Sequence, residues 1–170
     1  MGLFGSLLKP KLFRSSELVG IADDALQLAL QASEDAHPNE YMGQLRGQDA
    51  RKVGLDRDGT VITDVLLAPG TKTNPTSAEF NPSYMPNDLD SVGSVHSHPN
   101  GVLRPSDADL ATFSRGRIHI IVGAPYGRGD WRAFDREGEP TDLDVVSVDV
   151  PDEQFFDFTQ ADIDAELEGR

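Results

Sequence analysis

The chain has 170 residues and a mass of 18.5 kDa, the size of one domain, and its 38% hydrophobic and 26% charged residues mark it as globular rather than disordered. With 29 acidic against 15 basic side chains, a net charge of −14 and a pI near 4.5, it lacks the basic face that phosphate neutralisation requires, which excludes general nucleic-acid binding. It has no Cys, so disulfides, thiolate metal sites and cysteine nucleophiles are all excluded, and any metal must be held by His, Asp or Glu.

Residues 1–16 read as an arm that is apolar first and basic afterwards. The apolar run is too short for a membrane span and lacks the basic-first order of a signal peptide. The chain is therefore expected in the cytoplasm, with the arm loosely ordered or, alternatively, used as an apolar contact in a homodimer or with a partner. A strand is predicted at 18–21. Asp23 and Asp24 then open a helix in which Ala25, Leu26, Leu28, Ala29, Leu30 and Ala32 have helical spacing, and Pro38 forbids its continuation. Strand character returns at 41–53 and 60–68, with Arg57-Asp58-Gly59 as the hairpin turn between them. Residues 69–90 carry Gly70, Asn74, Pro75, Pro82, Pro86 and Asn87 without periodicity, which reads as a lid or binding loop. A strand at 92–98, a short helix at 106–113, a buried strand at 118–122 and strands at 130–134 and 143–150 complete a mixed sheet. Beyond Pro151 the chain is an acidic tail, and Phe155, Phe156 and Phe158 are expected to pack back on the body. The expected division is an arm at 1–16, one α/β domain at 17–150 and a tail at 151–170.

Only four of the bases are Lys, and such an acid-rich, Lys-poor surface is what a high-salt cytoplasm selects. Salt that screens the repulsion among the carboxylates is then expected to stabilise the fold.

The chemistry is concentrated in Val95-His96-Ser97-His98-Pro99 and Arg104-Pro105-Ser106-Asp107-Ala108-Asp109. In a strand, His96 and His98 point to the same face, and Asp109 lies in the first turn of the next helix. Two imidazoles and one carboxylate leave a fourth tetrahedral position for water, the mark of a catalytic rather than a structural zinc site, although cobalt or manganese also suits these ligands. Taken alone, His-x-His in a strand is weak evidence. Ser106 and Asp109 also fit a helix capping box. His37 reads as a helix-end residue, and His119, between Ile118 and Ile120, as a satisfied imidazole rather than a third histidine ligand.

The combined spacing is more specific: His96-x-His98, seven residues, Ser106, two residues, Asp109. It resembles the motif of the JAMM (MPN+) zinc metallopeptidases at every position, including Pro99, and residues 37–47 look like that family's segment bearing a catalytic glutamate. The resemblance implies a single-domain JAMM/MPN fold: a cytidine-deaminase-like α/β sandwich with a mixed, curved sheet flanked by helices. It implies one Zn2+ per chain on His96, His98 and Asp109, with Glu40 as general acid/base and Ser106 holding the oxyanion. It further implies isopeptidase activity on ubiquitin-like modifier proteins with Gly-Gly tails and their conjugates, as in archaeal desampylases. Tyr41, Met42 and Gln44 stand where family members carry small or apolar residues. The Cys-bearing insertion that selects polyubiquitin linkage is absent. Two further readings are hydrolysis of adducts from a sulfur-carrier protein's C-terminus and a metal-free MPN-type scaffold. A zinc nucleobase deaminase requires Cys ligands and is excluded.

Overall fold

The computed structural model describes residues 17–67, 72–74, 77–79 and 91–149. The expected arm, the tail with its three phenylalanines and most of the 69–90 loop lie outside the described residues. Strand β1 (Leu18–Ala22) leads directly into helix α1 (Asp23–Ala36), whose N-terminal dipole meets Asp23 and Asp24 in place of a side-chain cap. The helix ends at His37, ahead of Pro38, as the sequence predicts. Its buried stripe of Ala25, Leu26, Ala29, Leu30 and Ser33 has helical spacing. Ser33 would be an unpaired polar group there, but its hydroxyl donates to the Ala29 carbonyl at 2.7 Å.

The sheet is built from β2 (Met42–Asp49), β3 (Thr60–Leu67), β6 (Ser91–His98), β7 (Ile118–Gly123), β8 (Trp131–Phe134), β9 (Pro140–Thr141) and β10 (Val145–Val146), together with β1. Its eight strands run in the order β10-β1-β3-β2-β6-β7-β8-β9. Pairing is parallel for β10–β1, β1–β3 and β6–β7 and antiparallel elsewhere, which makes the sheet mixed as expected. A separate ribbon of β4 (Lys72–Asn74) and β5 (Ser77–Glu79) falls inside the segment read as a lid or binding loop.

Two expected boundaries differ. The strand foreseen over 41–53 stops at Asp49, whose carboxylate accepts the Arg51 N–H at 2.9 Å and starts a 3-10 turn over Ala50–Val53. Asp after a strand is a turn-former, and that local bond wins over strand propensity. The strand foreseen over 143–150 shrinks to Val145–Val146, held at the edge by two register pairs with β1.

Alternation along the strands separates the two faces. On β7, Ile120 and Val122 join the cluster under α1 with Ile21, Leu26, Leu30, Leu45, Ile62 and Val95. Ile121 faces the opposite way, against Phe113 and Phe134. Phe113 closes helix α2 (Asp107–Phe113), so α1 and α2 cover opposite faces of one sheet. Each fully buried Leu, Ile or Phe contributes roughly 1.5–3 kcal/mol by leaving water, and these residues hold both helices to the sheet. Among the described residues no helix is long and apolar enough to cross a membrane.

Candidate active site

β6 lies between β2 and β7, and its C-terminal end brings the expected residues together. His96 and His98 project from one face of the strand and meet a single carboxylate. His96 Nδ1 lies 3.2 Å from Asp109 Oδ1, and His98 Nε2 lies 2.9 Å from Asp109 Oδ2. All three side chains are buried, with relative exposures of 4%, 7% and 5%. Asp109 reaches them because α2 begins there. Ser106 is the N-cap, its hydroxyl accepts the Asp109 N–H at 3.2 Å, and Asp109 Oδ2 accepts the Ser106 N–H at 2.7 Å. The Ser106 hydroxyl also donates to Asp109 Oδ2, at 2.8 Å. The capping box is therefore formed, and it orients the candidate ligand rather than competing with that role.

The loop after β6 completes the His98 environment. Gly101 adopts φ 77°, a conformation that favours glycine, and the chain turns back so that His98 Nδ1 donates to the Val102 carbonyl at 2.7 Å. That bond places the His98 lone pair, or its second proton, on Nε2 toward Asp109.

Glu40 precedes β2 and is half-buried. β2 pairs antiparallel with β6 in the register Met42↔His96, and continuing that register sets Glu40 opposite His98. The strand end is stitched by Tyr41, whose N–H donates to Ser97 Oγ at 2.6 Å and whose carbonyl accepts the Ser97 N–H at 2.9 Å. The residue between the two histidines thus fixes the residue after the glutamate. Glu40 is near enough that its charge helps to raise the pKa of His98.

Electrostatics separate the three groups. Burial pushes His96 down to about 4, against the opposing pull of Asp109, so its ring is neutral near pH 7. Burial also acts to lower His98, but the hydrogen bonds to Asp109 and Val102 and the charges of Asp109 and Glu40 outweigh it, and the net shift is upward. For Asp109, burial acts to raise the pKa, yet the His98 bond, the His96 ring and the Ser106 donors bring it down to about 2. The site therefore combines an ionised carboxylate with one imidazole that resists protonation.

This donor set fits a divalent cation. Among the described residues no trio of His, Asp or Glu is already spaced around a metal-sized point, because these donors close directly on one another. Their separations of 3.2 and 2.9 Å are nevertheless close to the ~3.3 Å edge of a tetrahedron built on bonds of about 2.0 Å. Neutral His96 cannot both keep a bare Nδ1 and donate to Asp109. In the tautomer with Nδ1 bare, a cation between the two groups satisfies both the lone pair and the carboxylate; in the other tautomer the Nδ1 hydrogen does so.

Of the remaining histidines, His37 sits at the end of α1 with Nδ1 2.9 Å from the Tyr126 hydroxyl, away from the cluster. His119 is a satisfied core imidazole, as the sequence reading has it. The roles of Ser97, Ser94 and the Val102 carbonyl escape sequence reasoning. Ser94-x-His96-x-His98 is a period-2 polar stripe that signals a shared face, whereas a backbone carbonyl leaves no sequence signal.

A family model described as prokaryotic homologs of the JAB domain matches residues 22–137. A "probable metalloprotease" from Haloferax volcanii is 65% identical over 159 residues, covering 93% of this chain and 99% of the relative. A solved JAB1/MPN domain protein from Archaeoglobus fulgidus superposes with a TM-score of 0.57 at 31% identity, covering 76% of this chain and 100% of its own. A second structure, described as a metalloprotease-like zinc site in the proteasome and signalosome, gives 0.55 at 30% identity, covering 76% and 99%. A model spanning most of the chain, a near full-length relative and two superposable structures agree with the geometry: the chain belongs to the prokaryotic JAB family of JAMM/MPN metalloproteases.

Proposed function

We propose that this chain is a zinc-dependent isopeptidase that removes ubiquitin-like modifiers with Gly-Gly tails from their conjugates, or trims their precursors, with His96, His98 and Asp109 as the metal ligands. The observation that carries the reading is the convergence of a neutral imidazole, a second imidazole and an ionised carboxylate at one strand end, with Glu40 set opposite.

When bound, zinc would supply Lewis acidity, making a water acidic near pH 7 and polarising the scissile carbonyl. The protein's own residues do the rest. Glu40, across from His98 and half-buried, accepts the proton of the attacking water and returns it to the departing amine. Asp109 stays ionised because its oxygens are held by Ser106 and His98, so no proton competes for it at neutral pH. The exposed Ser106 hydroxyl turns its hydrogen from Asp109 to the developing oxyanion while its oxygen remains the helix cap. Peptide and isopeptide bonds are chemically close, so client choice rests on the approach to the site. Val102 and Leu110, exposed by 42% and 43%, offer apolar contacts beside it for an extended tail. A Gly-Gly end suits this setting because only glycine lets a backbone lie so close to the reacting atoms. A cytoplasmic, high-salt setting agrees with the charge of −14, and screening there lets an acidic enzyme approach an acidic modifier.

The test is cleavage of a lysine conjugate of a Gly-Gly-ended β-grasp protein, run across salt concentrations, with a chelator control and metal analysis. Chelator-sensitive release with about one zinc per chain is expected. A chain that binds no zinc, or cleaves equally well in chelator, overturns the reading. Parallel incubation with sulfur-carrier adducts ranks the client class.

A further inference from the structure

Ser94 and His119 stand outside the groups assigned to metal binding or proton transfer, yet Ser94 is bonded to His96 and His119 to Ser94. Ser94 precedes His96 by two residues on β6 and shares its face. The parallel register of β6 with β7 sets Ser94 beside His119. One hydroxyl oxygen therefore meets two ring nitrogens, His96 Nε2 at 2.9 Å and His119 Nδ1 at 2.7 Å. The far nitrogen of His119, Nε2, lies 2.8 Å from the carbonyl oxygen of Phe113 at the end of α2.

The direction of this chain follows from its last member. A carbonyl oxygen only accepts, so His119 Nε2 carries hydrogen. In the neutral ring Nδ1 is then bare and accepts the Ser94 hydrogen. With that hydrogen committed, Ser94 Oγ accepts from His96 Nε2–H. Nδ1 of His96 is left as a lone pair facing Asp109 Oδ1. Without the relay, the carboxylate would draw the imidazole hydrogen to Nδ1, because a donor there completes a charge-assisted bond. The site would then satisfy itself with a proton, which a cation would have to displace, and would bind that cation more weakly.

His119 is built to hold its end. It is buried, stacked on the Phe113 ring at 4.0 Å with 5° between the planes, and a Cβ at Gly116 would lie 2.8 Å from its Cε1. The imidazole is therefore held by its stack on Phe113 and by a hydrogen bond at each ring nitrogen, and it fits because Gly116 carries no side chain.

We propose that Ser94 and His119 are positioning residues that, through a relay anchored on the Phe113 carbonyl, lock His96 in the tautomer that offers Nδ1 to a divalent cation. The purpose of the lock rests on the metalloprotease reading, but its existence does not. The experiment is nitrogen-15 NMR of the histidine rings in chelator-treated full-length chain, together with zinc titration of the same samples. In the unaltered chain, His96 and His119 are both expected to carry hydrogen on Nε2. Ser94→Ala moves the His96 hydrogen to Nδ1 and weakens zinc binding by about 10–100-fold, the usual loss when the partner behind a metal-ligating His is removed. Ser94→Thr restores both readouts. His119→Phe keeps the stack on Phe113 but removes the acceptor, and loosens zinc in the same way. Melting curves in chelator confirm that each variant folds, and the tautomer of the unaltered chain needs no variant at all. A His96 hydrogen on Nδ1 in that chain, or Ser94→Ala with tautomer and zinc affinity unchanged, overturns the relay. A chain with the expected tautomers that binds no zinc overturns the metal reading instead.

Discussion

Asp109→Asn separates the proposed ligand role of this residue from its structural one. The substituted side chain has the same shape, and its amide oxygen can still accept the Ser106 N–H and hydroxyl now at 2.7 and 2.8 Å, so the helix cap survives. Its NH2 group takes the place of Oδ1, 3.2 Å from His96 Nδ1, where it donates to the lone pair. The loss is confined to the His98 contact, where the ring, already donating through Nδ1 to Val102, keeps its second hydrogen on Nε2 and donates it to a neutral oxygen in place of a carboxylate, at a cost of about 1 kcal/mol. In chelator, the variant should therefore melt only ~2–4 °C below the unaltered chain. With free zinc at a thousand times Kd, ligand linkage stabilises the unaltered chain by about 4 kcal/mol. For a chain of this length that raises Tm by roughly 8–16 °C, and the variant should show no such rise. Differential scanning calorimetry of both proteins, with chelator and with zinc, measures all four states. An equal zinc-dependent rise in the variant would refute Asp109 as a ligand. A loss above ~4 kcal/mol in chelator would show that the carboxylate serves mainly as a buried ion-pair partner, where breaking the pair is expensive.

Glu40→Gln should keep zinc within a few-fold of the unaltered chain while hydrolysis falls by about 10²–10⁴, the worth of a general base; undiminished turnover in a conjugate-cleavage assay removes Glu40 from that role. Ser106→Ala should lower kcat by about 10²-fold and destabilise the fold by ~1 kcal/mol through the lost cap, read by denaturant melts. In the chelated chain His98, shifted up, gains its proton before its unfolded counterpart, whereas His96, at about 4, and His119, also shifted down, gain theirs later. Stability should thus rise as pH falls toward ~6.5 and decline from there toward 4, and a stability that keeps climbing below pH 6 in denaturant titrations contradicts these shifts. Raising KCl from low to molar concentration should increase Tm, since net charge is −14; a flat or falling series rejects the screening argument.

Much of the site was legible because period-2 alternation alone puts His96 and His98 on one face, and capping chemistry alone puts Asp109 at the start of a helix. What joined them, the swing of α2 back over β6, depends on Phe113 packing against Ile121 and Phe134, which no local pattern announces. Glu40 is the clearest case of a long-range fact. Its place beside His98 comes from the β2–β6 register and the Tyr41–Ser97 stitch, across 56 positions of sequence. Only the family resemblance pointed there. The fold's core was similarly readable in α1 and β7, where buried residues follow helical spacing or run without interruption. The errors fell at element ends. Asp49 captured the Arg51 amide and stopped β2, and β10 kept only the two residues that β1 could pair.

Helix α2 has seven residues, about half the length at which an isolated helix persists in water. Its first turn is tied to His98 through Asp109, and its last carbonyl is tied to His119. The segment that delivers the carboxylate is therefore clasped at both ends by imidazoles of the sheet it covers. Reactivity and local folding are thus linked at this helix: a drift that puts a side chain without a hydrogen-bond acceptor at position 109 also unlatches it, whereas one that keeps an acceptor there spares the clasp.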